Sequence, residues 1–127
     1  MIYCDMDNVL VRQTGRKRWD LMGWMPDGRA LWSFIAPLKP TLLSQLKSDV
    51  WEVSRHEKRL WVDRELGPDV PLIVVHADEG KHPHCKPGDI LIDDDAPLHR
   101  LNWMLAGGIF IHHQSAAKSI GELSKLL

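Results

Sequence analysis

The chain has 127 residues, 44% of them hydrophobic and 26% charged, which suits one globular domain with its own core and excludes disordered, collagen-like and coiled-coil classes. Sixteen basic residues against seventeen acidic ones leave a formal net charge of -1. That balance argues against a broadly basic nucleic-acid or membrane-surface binder, while a local basic patch remains open.

Ile2-Tyr3-Cys4 is an apolar run ending at Asp5, and it reads as a buried first strand. A mixed stretch over residues 8 to 25 follows, basic at Arg12, Arg16, Lys17 and Arg18, then rich in Trp19, Leu21, Met22, Trp24 and Met25. Pro26-Asp27-Gly28 signals a turn and a helix start, with Ala30, Leu31, Phe34 and Ile35 at helical spacing up to Pro37. Residues 40 to 44 form a second strand closing on Ser44, and residues 45 to 54 show no regular pattern. Residues 54 to 66 read as a charged helix with Leu60, Trp61 and Leu66 inward, stopped by Gly67-Pro68. Leu72 to Val75 is a continuous apolar strand, and residues 77 to 89 form a polar loop. Ile90-Leu91-Ile92 is a fourth strand running into Asp93-Asp94-Asp95. A helix over 97 to 105, a fifth strand at 109 to 111 and an amphipathic helix over 115 to 127 complete the chain. Short apolar strands alternating with helices specify a parallel sheet covered on both faces, in a single domain spanning residues 1–127.

Cys4 and Cys85 make no disulfide framework, and Cys4 reads as a small buried hydrophobe. No apolar run approaches the roughly 18 residues of a membrane span. The chain opens on a strand-like run without a basic segment leading an apolar one, so a cytoplasmic protein with reduced thiols and no membrane partner is expected.

In an open parallel sheet, ligands bind beyond the carboxyl ends of the strands. Asp5-Met6-Asp7 follows the first strand, Ser44 closes the second, and Asp93-Asp94-Asp95 follows the fourth. If these strands are neighbours, up to five carboxylates converge, which is unfavourable without a neutralising cation. An oxygen-only ligand set suits a hard cation, with magnesium the foremost choice. A lone Asp after a strand is more often a helix N-cap or turn former. Two acidic clusters, each directly after an apolar run, outweigh that reading.

These residues carry a resemblance to the haloacid dehalogenase (HAD) superfamily of phosphotransferases, and within it to the 5'(3')-deoxyribonucleotidase-like branch and its small phage and bacterial relatives. The first motif, D-x-D-x-V/T, matches Asp5-Met6-Asp7-Asn8-Val9, and the fourth, an apolar strand followed by D-D, matches Ile90 to Asp94. The second motif, Ser or Thr at a strand end, falls on Ser44, with Thr41 a weaker candidate. The third, a lysine before the last acidic strand, falls on Lys81, with Lys86 the fallback.

The resemblance implies a three-layer Rossmann-like core with a minimal (C0-type) cap, and a magnesium-dependent phosphatase working through an aspartyl-phosphate. Asp5 would be the nucleophile. Asp7 would protonate the leaving group, later activate water, and bind the metal through its carbonyl. Ser44 would donate to a phosphoryl oxygen, and Lys81 would neutralise the phosphoryl group and hold Asp5 ionised. Asp5, Asp7 and Asp94 would hold Mg²⁺, with Asp93 behind Asp94 or in its place. Asn8 departs from the glycine common in close relatives, but Asn tolerates positive φ. Asp95 receives no role.

Residues 10 to 26 are too few for the helical cap of the deoxyribonucleotidases, so an open site is expected. It would serve a phosphorylated small molecule or a nucleic-acid end, or be closed by a second copy acting as lid. Arg12, Arg16, Lys17 and Arg18 would attract phosphate or form an ordinary solvated loop. Trp19 and Trp24 would pack in the core more readily than stack on a base. His82-Pro83-His84-Cys85 matches no standard zinc spacing, and His112-His113 reads as polar surface. Two alternatives stay open: a degenerate member of the superfamily that binds a phospholigand or partner without turnover, and a response-regulator receiver domain, whose acids come in a different order.

Overall fold

The computed structural model describes residues 1–14, 18–47 and 51–127. In chain order these form β1 (Ile2–Cys4), α1 (Gly28–Ile35), β2 (Thr41–Leu46), α2 (Trp51–Glu65), β3 (Leu72–His76), β4 (Ile90–Asp93), α3 (Ala96–Leu105), β5 (Ile109–His112) and α4 (Ala116–Ser124). Three short 3-10 turns lie at Trp19–Leu21, Ala36–Leu38 and His82–His84. Among the described residues, no helix is long and apolar enough to cross a membrane.

All five strands are parallel, in the order β3-β2-β1-β4-β5. The fold is α/β and Rossmann-like. The chain first steps outward from β1 to β3, then crosses back to lay β4 on the other side of β1. That reversal puts a crevice between the carboxyl ends of β1 and β4, where open α/β sheets bind their ligands.

Strand side chains alternate between faces, and the two cores follow that alternation. Cys4, Leu42, Leu46, Ile90, Ile92 and Ile111 pack with Leu31 and Ile35 of α1, Trp61 and Val62 of α2 and Leu123 of α4. Tyr3, Leu43, Val75, Leu91 and Phe110 pack with Ala96 and Trp103 of α3. Three helices thus cover one face and α3 covers the other. Burying about 25 cal/mol per Å² of apolar surface on both faces is what holds such short strands in register.

Several boundaries differ from the sequence expectation. β2 continues through Gln45 and Leu46, so Ser44 lies inside the strand rather than at its end. The stretch that lacked a pattern contains the first turn of α2, whose Trp51 stacks on His76 at 3.6 Å between ring centroids. Two apolar residues, Trp51 and Val53, are too few to show a period in that turn. Leu60, expected inward, is 40% exposed, whereas Trp61, also expected inward, is fully buried on a stripe with Ser54, Glu57, Lys58 and Val62.

Among the described residues, the segment after β1 forms no helical cap. Met6 accepts backbone bonds from Val9, Leu10 and Val11, and Asn8 sits at φ 60, as expected of the residue replacing glycine. Trp19 and Met22 are buried, and the stretch 18–25 is pinned along α2. Trp61 Nε1 donates to the Met22 carbonyl at 2.8 Å, Trp24 Nε1 donates to Glu65 at 2.8 Å, and Arg64 donates to the Asp20 carbonyl. Arg18, 61% exposed, pairs with Asp20 and Glu57 beside this packing. Arg16 and Lys17 lie outside the described residues.

Candidate active site at the β1–β4 crevice

β1 and β4 pair with Cys4 opposite Ile92, and the Asp5 amide donates to the Ile92 carbonyl at 2.9 Å. The next residue on each strand, Asp5 and Asp93, therefore projects to the same side of the sheet. Asp94 follows on the turn into α3. Oxygens of Asp5, Asp93 and Asp94 lie within 4.8 Å of one another. The two acidic segments, 88 residues apart by number, do meet. A second group of potential ligands, His76, Asp78 and Glu79, lies beyond β3.

Lys81, from the loop after β3, is 2% exposed and reaches between the carboxylates. Its Nζ donates to Asp5 Oδ1 at 2.9 Å and to Asp93 Oδ2 at 2.6 Å. Lys86 is exposed and lies before β4, where its amide donates to Asp89. It is at the opposite end of the strand from Asp93, so Lys81 is the lysine of the site. Thr41 is likewise at the far end, opposite Tyr3 and near Met1.

Electrostatics divide the acids. Burial raises the Asp5 pKa, but the Lys81 ammonium outweighs it and holds the carboxylate ionised. Burial would lower the Lys81 pKa, and Asp5 and Asp93 drive it up instead, so Lys81 stays charged. Asp93 is pushed up to about 8 by burial and by Asp5. Asp94 rises to about 7 and Asp7 to about 6, each through burial first. One lysine does not neutralise three carboxylates, so the crowd favours a proton or a cation. The all-oxygen donor set fits a hard divalent ion such as magnesium. Asp93 and Asp94 both border the cavity; Asp94 is half-buried, whereas Asp93 is fully buried, accepting from Lys81 and from the Asp95 amide.

The cavity has a volume of about 180 Å³, and its walls include Asp5, Asp7, Lys81, Asp94, Gln45 and His99. Ser44 is fully buried beneath it, and its hydroxyl accepts from Lys58 Nζ at 2.5 Å. Lys58 also reaches Asp7 Oδ1 at 3.3 Å.

Lys58, Gln45 and His99 were not singled out from the sequence. Lys58 carried a signal, since it is a cation three residues before Trp61 on the buried stripe of α2. His99 lies 3.9 Å from Asp93, but burial and Lys81 lower its pKa to about 4, so the contact is with a neutral imidazole. Asp95, given no role, caps α3 by accepting from the Leu98 amide. His113, expected on the surface, is buried with Nδ1 against Ser119 Oγ at 2.8 Å.

Two comparisons bear on kinship. No protein-family model matches the chain, and no curated protein matches it.

β3 is an edge strand. A receiver domain carries its phosphoacceptor after the third strand of the chain, and here the clustered acids follow β1 and β4.

Proposed function

We propose that the chain is a magnesium-dependent phosphomonoesterase of haloacid dehalogenase type, with Asp5 as nucleophile. The observation carrying this reading is one buried, ionised carboxylate at the switch point, held by Lys81 and adjoined by two carboxylates that lack a full counter-charge.

Both nitrogen donors to Asp5, the Met6 amide and Lys81, bond Oδ1, which leaves Oδ2 to attack phosphorus. The new Oδ2–P bond forms as the ester P–O bond breaks, and Asp7 gives its proton to the departing alkoxide. An Asp7 pKa of about 6 suits a group that must give and then retake a proton near neutrality. Water then attacks phosphorus of the aspartyl-phosphate and loses its proton to Asp7. The Oδ2–P bond breaks, freeing inorganic phosphate. Asp5 and Asp94, with Asp93 and the Asp7 carbonyl as further candidates, would hold Mg²⁺, which would supply charge neutralisation and orientation of the phosphoryl group. Lys81 keeps Asp5 ionised and offsets phosphoryl charge, while Ser44 supports the floor of the site. The substrate is a phosphorylated small molecule or a phosphorylated nucleic-acid end. A cavity of about 180 Å³ suits an ester whose alcohol part extends beyond it, with a second copy of the chain a candidate lid.

The test is phosphate release from aryl phosphates, nucleotides and phosphorylated oligonucleotides with and without Mg²⁺, with acid-quenched enzyme analysed for phosphate on Asp5. Asp5→Asn is expected to abolish turnover with the fold retained. Full activity in that variant removes the mechanism. Mg²⁺ binding without turnover on any ester leaves a phospholigand-binding domain.

A further inference from the structure

The phosphatase reading leaves Lys58 without a task. Its side chain is 0% exposed, although it belongs to a largely charged helix. A buried ammonium is costly unless its donors are matched. Three groups surround it: Ser44 Oγ at 2.5 Å, Asp7 Oδ1 at 3.3 Å, and the Trp19 ring, whose centroid lies 3.9 Å from Nζ. Ser44 lies on β2, next to the central strand, and is a fixed anchor. Trp19 belongs to the segment pinned along α2 and covers the cation with its π face. Asp7 is the least constrained of the three. It sits on the turn beyond β1 with its side chain 25% exposed.

We propose that Lys58 is a positioning residue that acts through Asp7. Ser44 and Trp19 hold the ammonium, and the ammonium fixes the Asp7 carboxylate at the leaving-group side of the cavity. The two buried lysines therefore divide the work, with Lys81 serving the nucleophile and Lys58 serving the proton donor. This rests on the phosphatase reading. It adds a prediction that reading does not make: loss of Lys58 harms esters in proportion to how much their leaving group needs a proton.

The experiment compares kcat/KM for 4-nitrophenyl phosphate, whose leaving group departs without a proton, and for a simple alkyl phosphate, whose alkoxide does not. Wild type, Lys58→Met, Ser44→Ala, Asp7→Asn and the Asp7→Asn/Lys58→Met double variant are measured side by side. General acid catalysis contributes about 10²–10⁴-fold, so Lys58→Met is expected to lose about 100-fold or more on the alkyl ester and only a few-fold on the nitrophenyl ester. Ser44→Ala is expected to show the same selectivity at smaller amplitude. In the Asp7→Asn background, Lys58→Met is expected to add no further selectivity. Equal losses on both esters, or further selectivity added by Lys58→Met in the Asp7→Asn background, overturn the proposal while leaving the phosphatase reading in place. If Lys58→Met does not fold, Ser44→Ala decides, and unselective behaviour there overturns it. A wild type inactive on both esters, with or without Mg²⁺, removes the phosphatase reading and this proposal with it.

Discussion

Adding a divalent cation to the metal-free protein should stabilise it, and more strongly as pH rises. The perturbation acts on Asp5, Asp93 and Asp94, whose oxygens crowd within 4.8 Å. Unfolded, Asp93 and Asp94 ionise near 3.8; folded, they do so at about 8 and about 7. Between pH 6.5 and 8 the folded state therefore holds more protons than the unfolded state, and stability falls as pH rises. Below 6.5 the slope is opposed by His99 and His113, whose pKa values burial lowers, and Lys58, lowered by burial too, opposes it from the alkaline side. A cation binds the ionised carboxylates and removes this penalty. With Mg²⁺ about 100-fold above its dissociation constant, linkage gives about 2.7 kcal/mol. At roughly 4 °C per kcal/mol for a chain of this size, Tm should rise about 10 °C. Thermal unfolding followed by circular dichroism at about pH 8 and about pH 6 measures it, with Asp94→Asn alongside. A shift that is absent, equal at the two pH values, or intact in Asp94→Asn would refute the reasoning.

Lys81→Met should destabilise the protein by about 3–5 kcal/mol, because it leaves Asp5 and Asp93 buried without their common partner; urea denaturation reads the change, and a loss under 1 kcal/mol would contradict the assignment. Gly108→Ala should cost about 1–3 kcal/mol, since its new Cβ would stand 2.3 Å from Trp103 Nε1 and 2.6 Å from Cys85 Sγ; an unchanged denaturation midpoint would show that the packing there yields freely. Asp95→Ala should remove about 1 kcal/mol through the lost α3 cap and leave Mg²⁺ affinity unchanged; weakened Mg²⁺ binding on titration would make Asp95 part of the cation site.

What lay in the sequence was local. Short apolar runs mark strands whichever way they later pair, because a strand buried on both faces must be largely apolar. The placing of Asp5 and Asp93-Asp94 at strand ends followed from the same runs, and so did the tolerance of Asn8 for positive φ. Period-two alternation even assigns Cys4 and Tyr3 to opposite cores.

Strand order was not local, and only the tertiary structure decided it. The return of the chain from β3 to β4 is what lays Asp93 beside Asp5, and no residue near either one encodes that crossing by itself. The same holds for the lysines. Lys81 and Lys86 share one polar loop, and only the placing of β4 gives that loop a near end and a far end. Lys58 reads as one more charge on a solvated helix until α2 docks against β2 and seals it under Ser44, Asp7 and Trp19. A side chain's chemistry is written in its own residue, whereas its burial and its partners depend on which distant segments pack over it.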